Sequence, residues 1–143
     1  MKRTETQIGN QLEDLVRVVR MVDRFGAAHA IPASVVNDLN LALDEVLNNI
    51  VSYGYKDQPR EGPAAIAIRL SHEPGYLRAE VEDDGIAFNP LLPRSARLDT
   101  ASDKRALGGR GIRFIRGLMD EVAYERIADR NRLRLTKRIP PVN

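Results

Sequence analysis

The apolar positions along the chain switch between a period near 3.6 and a period of two, and each switch marks an element. Residues 2–8 predict a strand. Asn10-Gln11-Leu12-Glu13 then has the spacing of a capping box, with Asn10 as the cap and Glu13 reaching back. Leu12, Leu15, Val16, Val19, Val22 and Phe25 recur at helical spacing after it, and Gly26 is the expected stop. Pro32 opens a second, longer helix over 33–52. Leu39, Leu43, Val46 and Ile50 fall on one stripe of that helix, with Val35 and Leu47 at its edges, so it should pack flat on an apolar surface.

Beyond it, 56–63 carries turn and breaker residues without a period and predicts a loop. Ile66, Ile68 and Leu70 alternate with Ala65, Ala67 and Arg69. After His72-Glu73-Pro74-Gly75 the alternation resumes with Leu77, Ala79 and Val81, as in a hairpin with one buried face. Residues 89–105 have no clean period and contain Pro90 and Pro93, which predicts a long loop of the kind that is usually functional in a compact domain. A third, shorter helix is expected over 111–119. Strands over 122–126 and 132–137 should pair across Asp129-Arg130-Asn131. This order separates helices from strands and predicts an α+β fold, a two-layer sandwich of a mostly antiparallel mixed sheet with helices on one face. At 143 residues, with neither repeat nor linker, residues 1–143 are expected to form a single domain.

Composition narrows the function. With 43% apolar and 29% charged residues the chain reads as globular rather than disordered. The net charge of +2 comes with scattered arginines, no Trp and no aromatics interleaved with basic residues, which argues against direct nucleic-acid binding. The absence of Cys removes disulfides, thiolate zinc sites and cysteine nucleophiles. No stretch approaches the roughly 18 apolar residues of a membrane span, so no membrane contact and a cytoplasmic location are expected.

Three features carry candidate chemistry. On the long helix Glu45 and Asn49 lie about 40° apart at the edge of the apolar stripe. A carboxylate and an amide oxygen one turn apart suit a magnesium–phosphate assembly as well as a plain solvated face. Second, alternation places Asp83 on the inward face with Leu77, Ala79 and Val81, while Asp84 shares the outward face with Glu80 and Glu82. A buried carboxylate needs a donor, and either an exocyclic amine of a ligand or the backbone of its own Asp-Gly turn would serve. Adenine offers such an amine where guanine has a carbonyl, so ATP would be favoured over GTP. Third, Leu107-Gly108-Gly109-Arg110-Gly111-Ile112 precedes the third helix, where glycines admit close approach and a helix start offers N–H groups to phosphate, though a flexible hinge has the same composition. Neither the Walker spacing nor a dinucleotide fingerprint is present.

Together these strings resemble a known family. Leu43-Asp44-Glu45-Val46-Leu47-Asn48-Asn49-Ile50 is similar to the N box of the histidine-kinase-like (GHKL) ATPase superfamily, Asp83-Asp84-Gly85-Ile86-Ala87-Phe88 to its first glycine box, and Gly109-Arg110-Gly111-Ile112 to its second. The Glu-x-x-x-Asn spacing, the Phe88-Asn89-Pro90 ending and Met119-Asp120-Glu121-Val122 resemble its anti-sigma-factor serine/threonine kinase branch, over essentially the whole chain. The resemblance implies ATP and Mg2+ as cofactors. It makes Asn49 the metal ligand, Glu45 the general base, Asp83 the adenine contact, and Gly109 and Gly111 the phosphate holders. Asn48, Gly85, Ala87, Phe88, Arg105, Gly108, Arg110 and Ile112 complete the implied nucleotide-binding set, and 89–105 becomes a lid. It further implies a protein serine kinase that phosphorylates an anti-sigma factor antagonist and sequesters a sigma factor, with a homodimer possible. Ala87, Asn89 and Tyr53 stand where relatives often have glycine, aspartate and histidine. A non-catalytic ATP-binding module that switches partners by binding alone is therefore the alternative. A sensor histidine kinase is set aside, because His29 and His72 do not lie on a helical dimerisation segment.

Overall fold

In a computed structural model the chain is described over residues 2–9, 11–51, 65–89 and 110–141. The elements run β1 (Lys2–Ile8), α1 (Leu12–Ala28), α2 (Ala33–Asn49), β2 (Ile66–Glu73), β3 (Tyr76–Asp83), α3 (Arg110–Leu118), β4 (Glu121–Ile127) and β5 (Arg130–Arg138). The loop over 56–63 and nearly all of the segment over 89–105 lie outside the described residues. No described helix is long and apolar enough to cross a membrane.

The strands form one sheet of order β1-β2-β3-β5-β4, and each neighbouring pair is antiparallel, so no parallel pair is mixed in among the described residues. Register follows from the period-two pattern: Ile68 pairs with Val81, and Val81 in turn with Leu133, so the branched residues of three strands stack on one face. That face meets the helices. Leu39 and Leu43 of α2, Val18 and Val22 of α1 and Ile115 of α3 join Ile66, Ile68, Leu70 and Leu135 in one buried cluster. Each such side chain contributes about 1.5–3 kcal/mol on burial, so the helix–sheet interface dominates the stability. Lys137 of β5 fixes the angle of the last helix, because its Nζ donates to the Leu118 carbonyl at 2.7 Å and pairs with Asp38 of α2 at 3.0 Å.

Among the described residues the opposite face of the sheet carries no helix and is paved with charge instead. Arg69 donates to Glu80 and Glu82 at 3.0 Å and to Glu5 at 3.1 Å, and Arg132 reaches Glu82 at 3.3 Å. Burial pushes the Glu82 carboxyl up, but the hydrogen bonds and charges of Arg69 and Arg132 outweigh it and hold the group below the usual carboxylate range.

Three local expectations need correction. The cap of α1 is Gln11, which makes no side-chain cap bond, and the reach back to the chain ahead of the helix comes from Asp14, whose Oδ2 accepts the Gly9 N–H at 3.1 Å; residue 10 lies outside the described residues. Gly26 does not end α1. The helix stops two residues later, in a Schellman arrangement in which the Ile31 N–H bonds the Gly26 carbonyl at 2.9 Å across Ala30, a non-glycine residue at φ 54°. Gly26 is there for packing: a Cβ on it would fall 2.5 Å from Cγ2 of Val36, where α1 crosses α2. The last hairpin turns at Ala128-Asp129, both at positive φ and flanked by the Ile127–Arg130 pair, which places Asn131 inside β5.

The crossing sets an expectation. Gly26→Ala should destabilise the chain by about 1–3 kcal/mol, despite alanine's better helix propensity, because Val36 is β-branched and cannot swing away. In a Val36→Ala background the same change should cost nothing; urea unfolding of the four proteins in that cycle measures both effects.

Candidate functional site

α2 presents Glu45 and Asn49 one turn apart on a flank that its own apolar stripe leaves at the edge of the core. The first turn of α3 is pressed against that flank. A Cβ on Gly111 would lie 2.7 Å from Glu45 Oε1 and 3.7 Å from Asn49 Nδ2, so the absent side chain is what lets the start of α3 approach the pair. A helix start carries unpaired N–H groups and partial positive charge, so the approach places an anion-favouring end beside a carboxylate and an amide.

Asn49 also lines a cavity together with Val46 and Ile50 of α2, Asp83 at the end of β3, and Phe88. Ile115, Tyr124, Asn131 and Leu133 close its other side. Asp83 is only 3% exposed. Its Oδ1 accepts the Gly85 N–H and the Asn131 side-chain amide, each at 3.0 Å. Burial pushes the Asp83 carboxyl above the usual carboxylate range, and the two hydrogen bonds offset only part of that.

Asn131 is the hub of this region. Opposite Asp83 in the register, it donates to Asp83 and to the Ile86 carbonyl at 2.7 Å, and its Oδ1 accepts the Phe88 N–H at 3.2 Å and the Tyr124 hydroxyl. Arg126 adds a bond to the Gly85 carbonyl at 3.0 Å. The turn after β3 is thus shaped by β4 and β5, not by its own sequence alone.

Of the residues singled out from the sequence, Glu45, Asn49 and Gly111 meet at the α2–α3 junction, and Asn49, Asp83 and Phe88 share the cavity. Gly85 enters through its backbone, Ala87 is exposed, and Ile112 sits half-buried in the first turn of α3, which Arg110 opens. Asn48 turns its amide back to the Asp44 carbonyl at 2.8 Å. Arg105, Gly108 and Gly109 lie outside the described residues. The sequence reading missed Asn131 and Tyr124. The signal for Asn131 was its place two residues before Leu133 and four before Leu135, on the inward face of the last strand.

The family model for the histidine kinase-like ATPase domain matches residues 8–137. The chain belongs to that family. It is the superfamily that the three motif strings resemble, and ATP binding goes with it. This ATPase domain is 34% identical over 103 residues to the serine/threonine-protein kinase BtrW of Bordetella bronchiseptica, covering 72% of this chain and 70% of BtrW. Its fold is also that of a crystal structure of the RsbU and RsbW domains of a Mycobacterium tuberculosis protein, with a TM-score of 0.64 at 17% identity over 97% of this chain. The ATPase domain spans 32% of that longer chain.

Asn131→Ala should cost about 2–3 kcal/mol in urea unfolding, because it strips partners from Asp83, Ile86 and Phe88 at once. Asp83→Asn should behave differently in the ligand-free protein. An acid whose folded pKa is raised contributes most below its ordinary value near 4, and that contribution is lost as pH rises through the folded value. Replacing Asp83 removes this decline, so the variant should match or exceed the parent in stability at pH 7 and show a flatter stability profile from about pH 4 upward. Unfolding curves at pH 4, 5.5 and 7 compare the two slopes.

Proposed function

We propose that this ATPase domain is a protein serine kinase of the anti-sigma type, which transfers the γ-phosphoryl group of ATP to a serine of an antagonist protein and holds a sigma factor inactive in the cytoplasm. The observation that carries the reading is the continuity of the site. Asn49 belongs both to the cavity lined by Asp83 and to the junction where Gly111 meets Glu45, so one ligand could reach from a base-binding end to a phosphate end. The similarity to the serine/threonine-protein kinase BtrW supports the reaction class.

In this reading the buried Asp83 carboxylate accepts a hydrogen bond from the adenine amine, and the Asn131 clamp holds it in place without paying for reorganisation when ATP arrives. The N–H groups at the start of α3 face the phosphates. The donor set suits magnesium, which prefers hard oxygens and keeps waters and phosphates in its shell: the Asn49 amide oxygen would be its protein ligand, and the ion would supply charge neutralisation. Glu45 takes the proton of the serine hydroxyl as that oxygen bonds to the γ-phosphorus and the bond to the β–γ bridging oxygen breaks, leaving ADP.

The test uses labelled ATP and a serine-bearing candidate antagonist. Label should move to serine with the parent, and Glu45→Ala should lower that transfer by roughly 100-fold or more while ATP binding persists. Partner binding without any transfer would instead identify a non-catalytic module. Asp83→Asn should weaken ATP binding by well over the roughly 1 kcal/mol of a neutral hydrogen bond, and GTP should compete poorly; unchanged affinity in calorimetry would remove the adenine contact.

A further inference from the structure

The chain has only two histidines, His29 and His72, and no Cys. They are far apart in sequence, yet the fold sets their rings 5.8 Å apart between centres, tilted by 34°. A different element brings each of them there. His29 caps the C-terminus of α1, where its backbone N–H bonds the Phe25 carbonyl at 3.2 Å and its ring packs edge-on with that of Phe25 at 4.5 Å. His72 follows Ile66, Ile68 and Leu70 on the inward face of β2 and lies opposite Leu77 of β3, so it extends the helix-facing side of the sheet until it meets the end of α1. Both side chains are half-buried.

The protein itself makes no use of these imidazoles. Among the described residues no hydrogen bond or ion pair reaches either ring, although every ring nitrogen is a donor or an acceptor. A polar ring held against an apolar face in this way loses hydration without replacing it. The spacing points to what replaces it. An imidazole nitrogen binds a late transition ion at about 2.0–2.1 Å, which sets the ion roughly 3.2 Å from the ring centre. Two rings sharing one ion are then about 5.2 Å apart at a tetrahedral angle and about 6.4 Å apart when opposed. The observed 5.8 Å falls between these limits.

The surroundings select the class of ion. Among the described residues no third His and no Asp or Glu joins the pair in a metal-holding cluster, so hard ions that need carboxylate oxygens lack their donors. The last turn of α1 has no basic residue, and its free carbonyls leave partial negative charge beside His29. Lys2 opposes His72 in the register and Arg24 lines the same cleft as His29, and both work against a purely electrostatic attraction. What remains is the bond that imidazole itself makes with zinc, nickel or copper.

We propose that His29 and His72 form a two-histidine site for a divalent late transition ion, zinc or copper(II), with water in the remaining positions. The ion ties the end of α1 to β2 and so stabilises the folded chain according to its free concentration. The site lies about 20 Å along β2 from the strand end where Ile66 pairs with Asp83, so it is separate from the nucleotide site and does not depend on the kinase reading.

The probe is zinc chloride, titrated by calorimetry into the full chain without an affinity tag or nucleotide. One ion per chain should bind, and His29→Gln or His72→Gln alone should lower the affinity about tenfold or more, with the double variant adding little, since one imidazole cannot chelate. In nuclear magnetic resonance both imidazole signals of the parent should shift together along the titration. Copper(II) should bind more tightly than zinc, and millimolar magnesium should displace neither. With free zinc at about 100 times its dissociation constant, the folding equilibrium of the parent in urea should shift about 100-fold, and that of either single variant should stay put. Asn49→Ala should keep zinc binding; its loss there would place the ion at the nucleotide site and overturn the proposal. Zinc affinity indifferent to both histidine changes, or a shift of one ring alone, would overturn it as well. Should one variant fail to fold, the other variant and the ring signals of the parent still decide.

Discussion

A buried carboxylate fixed across two strands is the constraint on which the candidate site rests. Asp83 ends β3 on the inward face, where an unpartnered charge is expensive, and Asn131 answers it from the paired position on β5. Because the same amide also holds Ile86 and Phe88, the cost of keeping an acid inside is tied to the shape of the turn that follows. Burial alone would favour a neutral group there, and the raised carboxyl pKa shows that the internal partners do not fully compensate. A ligand donor reaching Asp83 would add what those partners leave unmet.

The second constraint is how closely helices approach. α2 is packed against the sheet along one stripe and against a neighbouring helix on each flank, and both contacts depend on a glycine in the neighbour. Gly26 lets α1 close on Val36, and Gly111 lets α3 close on Glu45 and Asn49. The first closeness contributes packing, whereas the second brings a helix start to a carboxylate–amide pair. One helix thereby carries both the largest share of buried side chains and the polar flank of the site, which ties the position of Glu45 and Asn49 to the core.

The two faces of the sheet solve different problems. The helix face is apolar and buried in one cluster. The open face would expose strands to water and to other strands, and it is covered by arginine and glutamate stems whose charges meet one another.

Local periodicity determined a great deal. The helices over Leu12–Ala28 and Ala33–Asn49, both hairpins and the inward direction of Asp83 follow from spacing alone, since a period of 3.6 or two fixes which residues share a face. The Glu45–Asn49 pair and the glycine strings were legible as motifs for the same reason: their chemistry depends on short-range spacing. Tertiary structure decided what spacing cannot carry. Gly26 reads as a stop and is a crossing point, because only Val36 from another helix shows why a side chain is missing there. Asn131 reads as a turn residue and is the buried partner of Asp83, because its role depends on the register of β3 against β5, forty-eight residues apart in sequence. The cap expected at Asn10 falls on Gln11, and the reach back expected of Glu13 comes from Asp14, whose carboxylate accepts the Gly9 N–H where β1 lies beside α1. Contacts within a turn of helix or strand are written in the sequence, whereas contacts between elements exist only once the core has set their distance.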